Sequence, residues 1–205
     1  MTNRRNRFIY RLWAPIYDAT VNRLFMPGRR RALEILALQP GDRVLLVGVG
    51  TGADLPLLPD GVEATGIDLS LEMLAKAQQK LPLAGCKVDL LPGDAQQLLV
   101  GESGFDAVIF NLILSVIPDG GACLRENLRA LKPGGRAVVF DKFLPDGDKL
   151  TIGRRLLNLG STLFGTDITR RFGDLTAGSH VRIVHNEPSL FGGAYRVILI
   201  QKNTL

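Results

Sequence analysis

A chain of 205 residues, 46% apolar and 22% charged, has the length for one α/β core and the composition of ordinary soluble protein. Its longest apolar stretch, Ala107 to Pro118, is broken by Asn111 and Ser115 and is too short to span a bilayer; the N-terminus MTNRRNRFIY lacks the apolar core and cleavage site of a secretory signal. The net charge of +5 is unevenly placed: residues 1–31 carry eight arginines against Asp18, a balance of +7, which leaves the other 174 residues at −2. Such a segment suits an anionic membrane, nucleic acid or plain solubility. Cys86 and Cys123 form no motif and read as buried free thiols of a reducing, cytoplasmic compartment.

In chain order, Arg4–Leu12 and Val21–Leu38 read as helices separated by Trp13-Ala14-Pro15. In the second, Leu24, Ala32, Leu33, Ile35 and Leu36 favour one face. Gln39-Pro40-Gly41-Asp42 ends it, and Arg43–Gly48 follows as a buried central strand. Val62–Asp68 is the next strand, and Ser70–Leu81 a helix with Ser70 as N-cap. Cys86–Leu91, Asp106–Phe110 and Arg136–Asp141 are further strands; helix Gly121–Leu131 precedes the last of them, with a turn at Lys132-Pro133-Gly134-Gly135. This alternation predicts an α/β fold, a doubly wound and mostly parallel sheet with helices on both faces. Lys149–Phe164 and Asp167–Ala177 then read as amphipathic helices, an insert spanning 144–179. Strands Val181–Glu187 and Tyr195–Lys202, with no helix between them, should pair antiparallel at the sheet edge. A single domain of seven strands is expected over 1–205.

The strongest local signal is Val44-Leu45-Leu46-Val47-Gly48-Val49-Gly50-Thr51-Gly52-Ala53-Asp54, a buried strand running into three alternate glycines. Glycine admits a ligand close to the backbone and supplies unusual φ, and a helix beginning after the loop would offer free N–H groups. Gly48, Gly50 and Ala53 also fit the dinucleotide pattern. Asp68, at the tip of the second strand, can accept both hydroxyls of an adenosine ribose; its spacing from the loop suits NAD and S-adenosylmethionine alike. Asp106, opening its strand, reads as structural.

Five blocks taken together, VLLVGVGTGADL, GIDLSLEMLAKAQ, GDAQQL, FDAVIFNLILSVIPD and LKPGGRAVVFDKF, resemble the class I methyltransferases in order, spacing and content over residues 40–143. The resemblance implies S-adenosylmethionine as cofactor, with Gly48, Val49, Gly50 and Gly52 against its methionine portion and Thr51 and Asp54 in the same loop. It implies that Asp68 holds the ribose, that Leu69 and Met73 flank the adenine, and that Asp94 of Gly93-Asp94-Ala95 reaches the adenine amino group. Asn111 would lie near the transferring methyl. This chain departs from many relatives in carrying Leu46 where they have an acid that organises the methionine ammonium; Asp54 or backbone carbonyls could substitute.

The segment Tyr10-Arg11-Leu12-Trp13-Ala14-Pro15-Ile16-Tyr17-Asp18, followed by Pro27-Gly28-Arg29-Arg30, resembles the bacterial phospholipid (phosphatidylethanolamine) N-methyltransferases and related quinone methyltransferases. In these it implies a lid, here residues 1–39, with Tyr17 and Tyr10 facing the reaction centre as candidate catalytic residues. An amine acceptor must lose a proton; Tyr10, Tyr17, Asp141 and His180 are the candidates. Arg154-Arg155 and Arg170-Arg171 beside apolar residues suit an interfacial helix meeting anionic headgroups. The expected acceptor is therefore a phospholipid or similar amphiphile at the inner membrane surface. A soluble or quinone-like small molecule is the alternative, and a non-catalytic cofactor-binding module the further one. Nucleic acid is disfavoured: Asn111-Leu112-Ile113-Leu114 is no Asn/Asp-Pro-Pro-Tyr motif, and neither cysteine follows a proline. No metal site is expected.

Overall fold

The computed structural model describes residues 22–98, 101–144 and 167–204. Helix α1 (Asn22–Leu36) leads into β1 (Arg43–Val47), followed by β2 (Glu63–Asp68), α2 (Leu71–Gln78), β3 (Lys87–Pro92), β4 (Phe105–Asn111), α3 (Gly120–Ala130) and β5 (Leu131–Lys142). A short α4 (Phe172–Thr176), β6 (Val181–Pro188) and β7 (Tyr195–Lys202) complete the order. The strands form one sheet, β3-β2-β1-β4-β5-β7-β6. Its first five members are parallel, and β7 runs antiparallel to both β5 and β6. The edge pair therefore forms as expected.

Period-two alternation divides the core. Leu45, Val47, Val108, Phe110, Ala137 and Val139 pack on one face with Cys123, Leu124 and Leu128 of α3. Val44, Leu46, Ala107, Ile109, Val138 and Phe140 pack on the other with Ala32, Leu33 and Leu36 of α1 and Leu74 and Ala77 of α2. Such two-sided cover is what continuous apolar strands require. Ser70 caps α2 by accepting from the Met73 amide at 3.3 Å. Cys123 is buried and Cys86 only part-buried; both are free thiols.

Four expectations are corrected. The glycine loop does not open an α-helix but one 3-10 turn, Leu55–Leu57. Pro56 sits in that turn, Leu58 before Pro59 is extended (ψ 133°), and a proline at 59 has no N–H with which to continue a helix. The inward residue near the start of α1 is Phe25, not Leu24, which is exposed, because helical spacing back from Leu36, Ala32 and Arg29 falls on residue 25. Lys132-Pro133-Gly134-Gly135 belongs to β5, whose pairing with β4 is bulged at Phe105/Ala107. The helix expected over Asp167–Ala177 shrinks to Phe172–Thr176. The helices read at Arg4–Leu12 and Lys149–Phe164 lie outside the described residues.

Helix α1 approaches the sheet closely at Gly28. A Cβ there would lie 2.2–2.8 Å from the Phe140 ring, which is buried between Phe25 and Tyr195 and has nowhere to move. Gly28→Ala should therefore destabilise the protein by about 1–3 kcal/mol, the usual cost of overpacking. Urea unfolding would measure this, and an unchanged midpoint would contradict the close docking.

Candidate active site

Winding reverses between β1 and β4, since the chain steps from β1 to β2 and β3 on one side and to β4 and β5 on the other. In open doubly wound sheets ligands bind in the crevice at the carboxyl ends of the strands at that point. A cavity lies here, concave and largely apolar with a few polar groups converging on it, as small-molecule sites are. Gly48–Thr51 and Ala53 line one wall, Ile67–Ser70 and Met73 the next, and Gly93–Ala95 a third. Asn111–Ile113 and Val116–Pro118 form an apolar fourth, and Arg29 reaches in from α1.

The cavity thus gathers Gly48, Val49, Gly50, Thr51, Asp68, Leu69, Met73, Gly93, Asp94, Ala95 and Asn111. Gly52 and Asp54, from the same expected set, lie off its wall. Gly48 has φ +65°, and a Cβ on it would sit 2.6 Å from Ile113. Gly52 instead packs against Leu55 and Ala77. The loop amides are not left open as a helix start would leave them: Val49 N donates to Ile67 O at 2.9 Å and Gly52 N to Val49 O at 3.0 Å. Gly50 N donates to Asp68 Oδ2 at 2.8 Å.

Asp68 accepts from Ser70 N at 2.9 Å through its other oxygen. Burial pushes its pKa above the ordinary carboxylate value, against the opposing pull of the amides of Ser70, Gly50 and Leu69. Asp94 accepts from Gln96 N (2.9 Å) and Gln96 Nε2 (3.0 Å). Asn127 of α3 steadies that turn by donating to Ala95 O at 2.9 Å.

Asp54 is 4% exposed, behind the wall. Its Oδ2 pairs with Arg29 Nη1 at 2.6 Å, and its Oδ1 accepts from Asn111 Nδ2 at 2.9 Å. Leu46 is buried core. Asp141 is fully buried, raised in pKa chiefly by that burial, and absent from the cavity lining. It accepts from Ser115 N and Lys142 N and so fixes the Asn111–Pro118 loop. His180 precedes β6 at the opposite, amino-terminal edge of the parallel strands, since Val181 pairs with Lys202 and Gln201 with Arg136. Neither is placed to take a proton from a ligand. Tyr10 and Tyr17 lie outside the described residues.

Arg170, expected to face headgroups, instead clasps the same loop, donating to Leu114 O, Ile117 O and Pro118 O. Asp106 is structural, accepting from Arg43 N and Lys132 Nζ. Arg29 was missed by sequence reasoning, although a glycine inside an amphipathic helix, at 28, signals close packing beside it.

Removing one member of a buried ion pair strands the other charge. Asp54→Ala should therefore cost about 3–5 kcal/mol, whereas the double replacement Arg29→Met with Asp54→Leu should recover much of it. Equal unfolding midpoints for Asp54→Ala and wild type in urea would contradict a buried pair.

Comparison with known proteins agrees with this geometry. The family described as "Methyltransferase domain" matches residues 45–139. A phosphatidylethanolamine N-methyltransferase of Cereibacter sphaeroides is 33% identical over 196 residues, covering 94% of this chain and 95% of that protein. A demethylmenaquinone methyltransferase of Renibacterium salmoninarum is 35% identical over 133 residues, covering 62% of this chain and 54% of its own length. Among solved structures, one from Bacillus halodurans described as a methyltransferase superposes with TM-score 0.73 at 16% identity, covering 86% of this chain and 99% of that one. The chain belongs to the class I S-adenosylmethionine-dependent methyltransferases.

Proposed function

We propose that this methyltransferase acts on an amine or comparable nucleophile of a phospholipid or similar amphiphile, at the cytoplasmic membrane surface. The observation that carries this reading is the likeness to a phosphatidylethanolamine N-methyltransferase along nearly the whole of both chains. The demethylmenaquinone methyltransferase favours a quinone-like acceptor instead, but over a smaller share of each chain. Leu112, Ile113, Val116 and Ile117 on one wall suit either apolar acceptor.

In this proposal the adenine lies between Leu69 and Met73 with its amino group toward Asp94. The ribose hydroxyls meet Asp68, and the methionine runs along Gly48, Val49 and Gly50 toward Asn111. S-Adenosylmethionine supplies an already activated methyl group, so the protein's task is alignment of the acceptor and exclusion of water. The apolar wall serves both. Tyr17 and Tyr10, on a lid made by the part of residues 1–39 that precedes α1, are the proposed groups beside the reacting atoms. The arginines of residues 1–31 supply attraction to anionic headgroups.

Two outcomes follow from Asp68. Asp68→Asn should weaken S-adenosylmethionine binding by about 1–3 kcal/mol near neutral pH. The raised pKa also means that the wild-type carboxylate takes up its proton at a pH above the ordinary value near 4. Wild-type affinity should therefore fall as pH drops through that raised value, and the variant should show no such fall. Identical pH profiles in calorimetry would remove Asp68 from the ribose site.

The acceptor is tested with methyl-labelled cofactor and two kinds of vesicle, one of phosphatidylethanolamine with anionic lipid and one carrying a demethylated quinone. Label in the phospholipid, with vesicle binding that weakens in salt, is expected. Label in the quinone alone would overturn the phospholipid reading, and binding indifferent to anionic lipid would overturn the membrane-surface one.

A further inference from the structure

Phe191, in the turn between β6 and β7, stands 61% exposed. Its ring packs by one side on Phe25 of α1 and Tyr195 of β7, with centroids 6.4 and 5.7 Å away. Both of those rings in turn pack on buried Phe140. The turn is fastened at its base, where Ser189 N donates to Tyr195 O at 2.8 Å and Tyr195 N to Leu190 O at 3.2 Å. Phe191 itself is held at φ +54°, where a bulky residue is an outlier. A rigid base thus holds an aromatic ring out in water.

Leu24 of α1 is 49% exposed and precedes Phe25. It lies two helical turns before Arg31, on the same row of the helix, and Arg31 reaches Glu187 at the end of β6 at 2.7 Å. That row therefore faces β6 and the turn that follows it. Scattered surface leucines are ordinary, but apolar side chains gathered on neighbouring elements mark an interaction surface. Tyr195 pairs with Lys142, the last residue of β5, so the turn projects from the carboxyl edge of the sheet. The cavity opens on that same edge. The chain around both residues is basic. Residues 22–33 hold Arg23, Arg29, Arg30 and Arg31 and no acid, and residues 188–196 hold Arg196 and no acid. Arg29 and Arg31 are ion-paired. Arg23 and Arg30 are exposed, on one row of α1, and pair with no carboxylate among the described residues.

We propose that Phe191 and Leu24 insert into an anionic bilayer just below its headgroups, while Arg23 and Arg30 meet the headgroup phosphates. Apolar burial and attraction of basic residues together are what hold interfacial proteins at a membrane. The cavity mouth then faces the bilayer, and a lipid acceptor reaches it without its acyl chains crossing open water. This rests on the membrane-surface reading proposed above and adds which surface of the protein makes the contact.

Phe191→Trp in a Trp13→Phe background carries a single tryptophan, since Trp13 is the only native one. Its emission should move to shorter wavelength on adding phosphatidylglycerol–phosphatidylcholine vesicles, and lipids brominated on their acyl chains should quench it. Phe191→Ser should partition onto the same vesicles about tenfold more weakly, as expected when most of one aromatic side chain no longer leaves water. Its affinity for S-adenosylhomocysteine without lipid should be unchanged, because Phe191 lines no wall of the cavity. Partitioning of Phe191→Ser equal to wild type, or no quenching of the introduced tryptophan, would overturn the proposal and leave the membrane-surface reading standing. Emission already at short wavelength without lipid would mean that residues 1–21 or a second copy of the chain cover the patch, and would also overturn it. Failure of wild type to bind anionic vesicles would overturn the membrane-surface reading itself. The tryptophan measurement decides the matter even if Phe191→Ser fails to fold.

Discussion

The pairing of the Asp68 carboxylate with the Gly50 amide, at 2.8 Å, is the constraint on which the carboxyl edge of the sheet depends. It ties the tip of β2 to the loop that leaves β1. The positive φ of Gly48, Gly50 and Gly52 is thereby held in one arrangement rather than left to a flexible turn. The second oxygen braces Ser70, which caps α2 and so sets Met73 on the cavity wall. One half-buried side chain thus shapes two walls. Burial of that charge is what raises its pKa, and the amides that surround it are what keep the rise in check.

A second carboxylate organises the other end. Asp54 lies off the wall itself but draws together α1 and the end of β4 through Arg29 and Asn111. Gly28 permits the approach, and the aromatic contacts of Phe25 with Phe140 and Tyr195 hold the helix down on β5 and β7. The consequence is that α1, which covers the sheet, is also part of the cavity. Opposite it, Asp141 and Arg170 restrain the Asn111–Pro118 loop from two sides, and Leu112 within it is held at φ +61°. Strained backbone of this kind persists only where surroundings enforce it.

Much of this was legible because parallel strands buried on both faces leave short apolar runs bounded by turn residues, and β1, β2 and β7 fall within a residue of where those runs lie. Ser70 was legible as a cap from its side chain alone. The glycine loop and Asp68 were legible as a pair because ligand chemistry restricts both. What failed were features decided by partners distant in sequence. Arg170 reads as a solvated cation until the carbonyls of Leu114, Ile117 and Pro118 are placed beside it. Asp54 reads as a ligand until Arg29 and Asn111 cover it. Phe25 was misjudged for Leu24 because one step along a helix turns the side chain through ~100°. The missing helix after the glycine loop is different, since Pro56 and Pro59 were in plain view and argued against it locally.

The most direct measurement is a crystal structure of the protein with S-adenosylhomocysteine bound. The ribose hydroxyls should lie within hydrogen-bond distance of Asp68, the adenine between Leu69 and Met73 with its amino group toward Asp94, and the methionine portion along Gly48, Val49 and Gly50. A ligand lying in the cavity with its ribose away from Asp68, or its adenine away from Leu69 and Met73, would contradict the assignment of this cavity to the cofactor.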